Sequence, residues 1–535
     1  MTDYRSLRRG LCALSFCIPA AGLLAACGGS GAPSIPADKA PPTVVAVTPT
    51  PQATVGLADA LISVAFSERV DCAKLAGNTV TVSGGGLLLP GTVSCAQNTL
   101  SFNPTSDLPT NATLDVTVGA AVTDLAGNPH GTSFTWQFSI RAWTVHLGSL
   151  GADAFNAVQV DNAGNLFVAG STSGSYDAAS PNGGALLATY DAYGAQRWVR
   201  QIGARSDLAT AVAVDSKGNV FVGGRADKYP VDFPRQAYSI FIAKYDKSGA
   251  QLWLRGFGSQ STEYVRALSV DADGNVVAVG YTAGNLFRPV AGGGSDFFVM
   301  KLDPAGNLLW GRQDGGPGND NAAGIAISPI GELFVSGYVS SPLYDMTPKG
   351  SSDAFLIKYT AGGVRQWMTL FGTTDADFGQ QVKQDVAGNL YLVGRTAGSF
   401  AGQTSAGGLD AFVAKLDPNG AVQWVRQFGT AGDDYPNALS IDSSGYLRVA
   451  GFTNGTFPGN SLAGGFDGFL VRLDSNASLQ WARQWGAAGD DYVFGLAMDG
   501  AGNAFVASTG GVSGIAGAGD TDGFLLKFAA DGTPR

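Results

Sequence analysis

Residues 424–429 read Trp-Val-Arg-Gln-Phe-Gly, and close variants stand at 198–203 (Trp-Val-Arg-Gln-Ile-Gly) and 253–258 (Trp-Leu-Arg-Gly-Phe-Gly). Trp143, Trp198, Trp253, Trp310, Trp367, Trp424 and Trp481 are spaced by 55, 55, 57, 57, 57 and 57 residues. A period of this length marks modules that share their cores with their neighbours. Each copy holds four short β-type runs; in the sixth these are 424–428, 438–442, 447–451 and 468–472. Asp-x-x-Gly turns join the second run to the third (Asp442/Gly445) and follow the fourth (Asp417/Gly420). Short strands joined by glycine turns form antiparallel hairpins. Four strands repeated seven times predict a seven-bladed β-propeller.

The offset of the repeat predicts how the ring closes. The last copy runs to Asp531-Gly-Thr-Pro-Arg535, and the first begins at Trp143. The Trp143 strand is therefore expected to add the outermost strand to the final blade, and deleting the last 15 residues to destabilise the ring.

Ahead of the repeats, residues 43–140 alternate polar and apolar residues, as in Leu61-Ile-Ser-Val-Ala-Phe66 and Phe134-Thr-Trp-Gln-Phe138. This pattern predicts a sandwich of about seven strands. The fold class is thus all-β, an Ig-like sandwich followed by a propeller over 143–535. Arg5, Arg8 and Arg9 precede an apolar run from Leu11 to Leu24, which reads as a signal peptide over 1–26. Residues 27–42 read as a flexible tether. Cys72 and Cys95 remain as an expected disulfide in an exported chain. No segment has the ~18 apolar residues of a transmembrane helix. The net charge of −10 argues against a nucleic-acid partner.

Three stretches carry resemblances. Leu24-Ala-Ala-Cys27 resembles a bacterial lipobox, which implies lipidation at Cys27, a membrane partner through the lipid anchor and an outer-membrane address. Val44–Pro49, Ile62–Val70, Val122–Asn128 and Phe134–Phe138 resemble the surface-layer type of bacterial Ig-like domain, a non-catalytic spacer or adhesive module. Ala211–Gly224 and Gly407–Gly420 resemble the SBBP family of β-propeller repeats, which implies the fold and little about activity.

Aligned on the tryptophans, every copy carries an acid eight residues before the inter-strand turn: Asp153, Asp207, Glu263, Asp320, Asp377, Asp434 and Asp491. If the second run is innermost, these acids ring one mouth of the channel, on the face that also carries the most variable loops. Their main expected role is to accept loop amides; a cation is the alternative. The doublets Asp433-Asp434 and Asp490-Asp491 are the weak metal candidates, and calcium is the one cofactor left open. Lys383 stands out on the fifth inner strand, where it is expected to reach toward the acid ring. No nucleophile elbow, phosphate loop or zinc cluster is present, so a non-catalytic monomer that binds protein or glycan is expected. The alternatives are a carbohydrate-active hydrolase or lyase, which would need an asymmetric cluster on the acid-bearing face, and an envelope-assembly scaffold.

Overall fold

The computed structural model describes residues 38–56, 61–105, 108, 112–141, 143–176, 183–192, 194–203, 206–226, 239–259, 261–288, 292–512 and 521–535. Cys27, the signal segment and much of the two variable loops before 184 and 239 lie outside the described residues.

The sandwich pairs two sheets. One contains Val44–Thr48, Ile62–Phe66, Thr99–Pro104 and Gly91–Ala96 in that order. The other contains Thr54–Gly56, Phe134–Arg141, Ala112–Val118, Val80–Gly84 and Leu87–Leu88. The excess over seven strands comes from two short pieces, Thr54–Gly56 and Leu87–Leu88, too brief to show alternation in sequence. Ile62, Val64 and Phe66 alternate into a core shared with Leu114, Val116 and Trp136. Cys72 and Cys95 form a disulfide with Cα atoms 5.7 Å apart, tying the loop after one strand to an edge strand.

The remainder is a ring of seven four-stranded antiparallel sheets. The first blade runs outward through Asp153–Val160, Leu166–Thr172, Gly184–Tyr190 and Gln196–Ile202. Second and third strands are buried along nearly their whole length, as their apolar runs require. The seventh blade takes its outermost strand from the start of the repeat region. Thr144–Leu147 pairs antiparallel with Asp522–Phe528, and the Trp143 amide donates to the Arg535 carbonyl at 2.9 Å.

The tryptophans do more than fill the wide end of their own blades. Trp253 Nε1 donates to the Pro304 carbonyl at 3.0 Å, and two residues on Arg255 Nε donates to the Gly306 carbonyl at 3.2 Å. Both acceptors lie in the Asp303–Gly306 turn of the next blade. Trp198 with Arg200, and Trp310 with Arg312, repeat the arrangement on Lys247/Gly249 and Ala361/Gly363. The recurring Trp-x-Arg is therefore a staple from one blade onto the following turn. The turn residue must be small and left-handed: at Gly306 φ is +84°, and a Cβ would lie 2.9 Å from the Trp253 ring. Ala477 alone fills this position with a side chain, at φ +59°.

Candidate functional site

Every inner strand begins at the recurrent acid or at the residue after it, and is interrupted three residues past the acid. Register shifts leave Asn156, Thr210, Arg266, Ala323, Gln380, Asn437 and Phe494 unpaired against the second strands. Such a β-bulge bends the strand and re-aims one side chain. All seven bulge residues line a single axial cavity of about 240 Å³. They are also the positions where the copies disagree most. Asn156, Thr210 and Asn437 each donate to a carbonyl of the next inner strand (Ala209, Val265 and Val493; 2.9, 2.6 and 2.8 Å), so they bind blade to blade. Arg266 and Phe494 stand exposed in the cavity wall, Phe494 at 37%. The signal in the sequence was this variability at a fixed distance from the acid; an uninterrupted alternation hides it.

The acids themselves do not face the channel solvent. Asp153, Asp207, Glu263, Asp320, Asp377, Asp434 and Asp491 are all at most 2% exposed. The amide four residues back donates to the carboxylate: Gly316 to Asp320 at 2.7 Å, Thr373 to Asp377 at 2.6 Å, Thr430 to Asp434 at 2.7 Å and Ala487 to Asp491 at 2.6 Å. These four also meet an Asp that opens the third strand of the preceding blade: Asp296, Asp353, Asp410 and Asp467. A Cβ on Gly486 would lie 2.5 Å from Asp467 Oδ1 and 2.7 Å from Asp491 Oδ2, so both carboxylates converge on that glycine. Burial, opposed by loop amides and reinforced by Asp410, pushes the Asp434 carboxyl up to about 6.

The sequence doublets are not brought together as ligands. Asp433 Oδ1 accepts the Leu409 amide at 2.9 Å and Asp490 Oδ1 the Phe466 amide at 3.0 Å, whereas Asp434 and Asp491 turn to their own loops. Asp433 and Asp490 lie in the loop before the inner strand and reach across to the preceding blade, which separates them from their neighbours. Among the described residues, three converging acids occur at Asp38, Glu68 and Asp124, in the sandwich. Asp124 there accepts both the Asn128 amide and its side chain, at 2.8 and 2.7 Å, which fixes a turn. Lys383 also differs from expectation. It lies six residues along the strand from Asp377, about 20 Å toward the turn face. Its register matches that of Gln159 on the channel wall, and burial lowers its pKa.

Above the bulges the mouth is lined by rings and guanidinium groups. The residue after each acid faces a second-strand residue: Tyr264 stacks on Tyr281 (centroids 5.0 Å apart) and Tyr435 on Phe452 (4.8 Å). Contacts continue between blades: Arg225 lies 5.1 Å over Tyr264, Arg395, itself 4.5 Å from Phe378 of its own blade, is 5.3 Å from Tyr435, and Phe452 meets Tyr492 edge-on at 4.9 Å. At the first blade the corresponding pair is Ala154 and Ser171, which leaves a gap. Arg and Tyr are thus grouped asymmetrically on the acid-bearing face, with Arg266 the charge that lines the cavity and the exposed Asp490 beside Tyr492 at the rim. The arrangement can stack a ring and hold an anion.

The model of the bacterial Ig-like domain matches residues 38–140, and that of the SBBP beta-propeller repeat matches 197–230 and 423–458. The regulatory protein FlaEY of Caulobacter vibrioides is 26% identical over 366 residues, 60% of this chain and 37% of that one. A WD repeat-containing protein, L264, of Acanthamoeba polyphaga mimivirus is 21% identical over 419 residues, 59% of this chain and 30% of that one. The chain spans about a third of the length of these curated relatives. A crystal structure of a Lactobacillus plantarum protein superposes with a TM-score of 0.41 at 14% identity, covering 69% of this chain and 94% of that one. The chain joins a bacterial Ig-like domain to a propeller built of SBBP-type repeats.

Proposed function

We propose that this is a lipid-anchored cell-envelope protein, held at Cys27, whose propeller mouth binds an external ligand without catalysis. The observation that carries the reading is the bulge ring. A seven-fold frame brings seven side chains of six kinds into one cavity, and two of them, Arg266 and Phe494, are exposed there and make no bridge to the next blade among the described contacts. Concave sites with a few convergent polar groups are where small ligands bind. The sandwich would serve as the spacer that lifts this mouth from the membrane.

The test is an array of glycans and envelope proteins probed with the full chain and with Phe494→Ala, with and without calcium. Binding lost in the variant supports the reading; binding indifferent to it places recognition elsewhere. Membrane fractionation of Cys27→Ala checks the anchor, since one lost thiol should release the protein into the soluble fraction. The hydrolase reading has its foothold in the carboxyls that burial raises, at Glu263, Asp320, Asp377, Asp491 and above all Asp434. That group is 0% exposed beneath its loop, so a substrate would reach it only after the blade opened.

A further inference from the structure

We infer that the mouth takes an anionic glycan, with the carboxylate of a terminal uronate-type sugar held at Arg266 and its ring laid on the aromatic belt. This deepens the binding role proposed above and rests on it.

Charge decides the sign of the ligand. The chain carries a net −10, yet the seven recurrent acids of this face are buried, the exposed Asp490 stands at the rim where it accepts from the Tyr492 hydroxyl, and Arg266 is the charged residue lining the cavity itself. Arg266 is exposed and makes no ion pair among the described residues. Arg395 sits at the rim, with its Nε buried and without a hydrogen-bond partner among the described residues. Burial lowers the Arg395 pKa, Tyr435 and Tyr338 oppose that, and Arg266 adds to it, so the two cations sense each other across the mouth. A planar carboxylate offers two acceptors to such a guanidinium.

Shape and surface decide the rest. A cavity of about 240 Å³ lies below the ~300–1,000 Å³ of drug-sized sites, which limits the occupant to roughly one sugar ring. Gln380 adds an amide at the same level for hydroxyl groups. Around it the half-buried rings of Tyr435, Phe452 and Tyr492 continue outward across two blades, a track for the next sugars of a chain rather than for an isolated acid. Aromatic faces accept the apolar face of a sugar while leaving its hydroxyls in water.

The experiment is calorimetric titration of the full chain with trigalacturonate, its methyl ester and neutral galactotriose. Trigalacturonate is expected to bind at least about tenfold more tightly than either neutral probe, in line with one charge-assisted contact. Arg266→Ala should remove that advantage and leave the weak neutral binding unchanged; Arg395→Gln should reduce it by a smaller factor; Phe494→Ala should weaken all three probes. Equal binding of acidic and neutral trimers, lost in Phe494→Ala, overturns the charge assignment but keeps the mouth as a binding site. Competition by triglutamate or sulfate at equal concentration overturns the sugar assignment. No binding of any of the three trimers overturns the inference; if the envelope array also yields nothing that Phe494→Ala releases, the binding reading falls with it. Thermal melts of each variant within about 3 °C of the parent show that the fold is kept.

Discussion

The turn face and the mouth face of the propeller lie at opposite ends of the same blades and follow opposite rules. At the turn face each blade repeats one device: a Trp indole and, in most blades, a nearby Arg or Thr closing on the glycine turn of the next blade. At the mouth, three residues past an acid that never changes role, the bulge position holds six residue types of different size and charge in seven copies. Where a position serves assembly, every copy must solve the same geometric problem. Where it faces an enclosed space, the copies are free to differ, and together they form one asymmetric wall. Symmetry loss inside a symmetric frame is therefore the mark of the site.

If that division is right, substitutions on the turn face should cost stability and those at the mouth should cost binding. The largest effect belongs to closure. Removing 521–535 deletes the Asp522–Phe528 strand and the acceptor of the Trp143 amide, and the ring should lose its cooperative melt altogether, while the sandwich melts separately. Calorimetry checks both transitions. Trp253→Ala comes next: the side chain is 8% exposed, and its loss should cost about 3 kcal/mol by chemical denaturation. Its counterpart at the mouth, Phe494→Ala, should stay within about 0.5 kcal/mol. A Phe494→Ala cost as large as that of Trp253→Ala would erase the distinction between the two faces.

A subtler case is Asp434, which belongs to the frame although it lies at the mouth. Its folded pKa is raised to about 6 from 3.8, so the stabilising contribution of the protonated form is complete below about pH 3.8 and is lost as pH climbs through 6. Asp434→Asn, a neutral substitute, should flatten the pH dependence of stability between about pH 4 and 6, with a gain at pH 7 of about 1–3 kcal/mol less whatever the new amide costs in lost acceptors. Unfolding titrations at pH 4, 5, 6 and 7 test it; an unchanged slope would show that Asp434 titrates normally.

The ring was legible because its period, its Asp-x-x-Gly turns and its offset ends are all properties of the chain order. Trp143 closing on the last blade follows from that order alone. The buried destination of Asp320 or Asp491 was half legible: the acid's recurrence pointed to loop amides, but its pairing with Asp296 or Asp467 of the preceding blade depends on how blades pack. The bulges were not legible. A strand read at period two places Arg266 on one face or the other, and only the slipped register turns it into the channel. Lys383 misled for the related reason that a polar residue on an inner strand says nothing about its height along the axis.

The Trp-to-turn staple has a direction, since each blade grips the one that follows. A blade is thus a unit with one donor end and one acceptor end, joined head to tail until the rotation closes. A fragment of two or three blades would expose both ends at once. It should behave as a self-complementary monomer, adding copies into rings or open filaments, because in the whole chain each of these ends is met by the chain's own neighbouring blade.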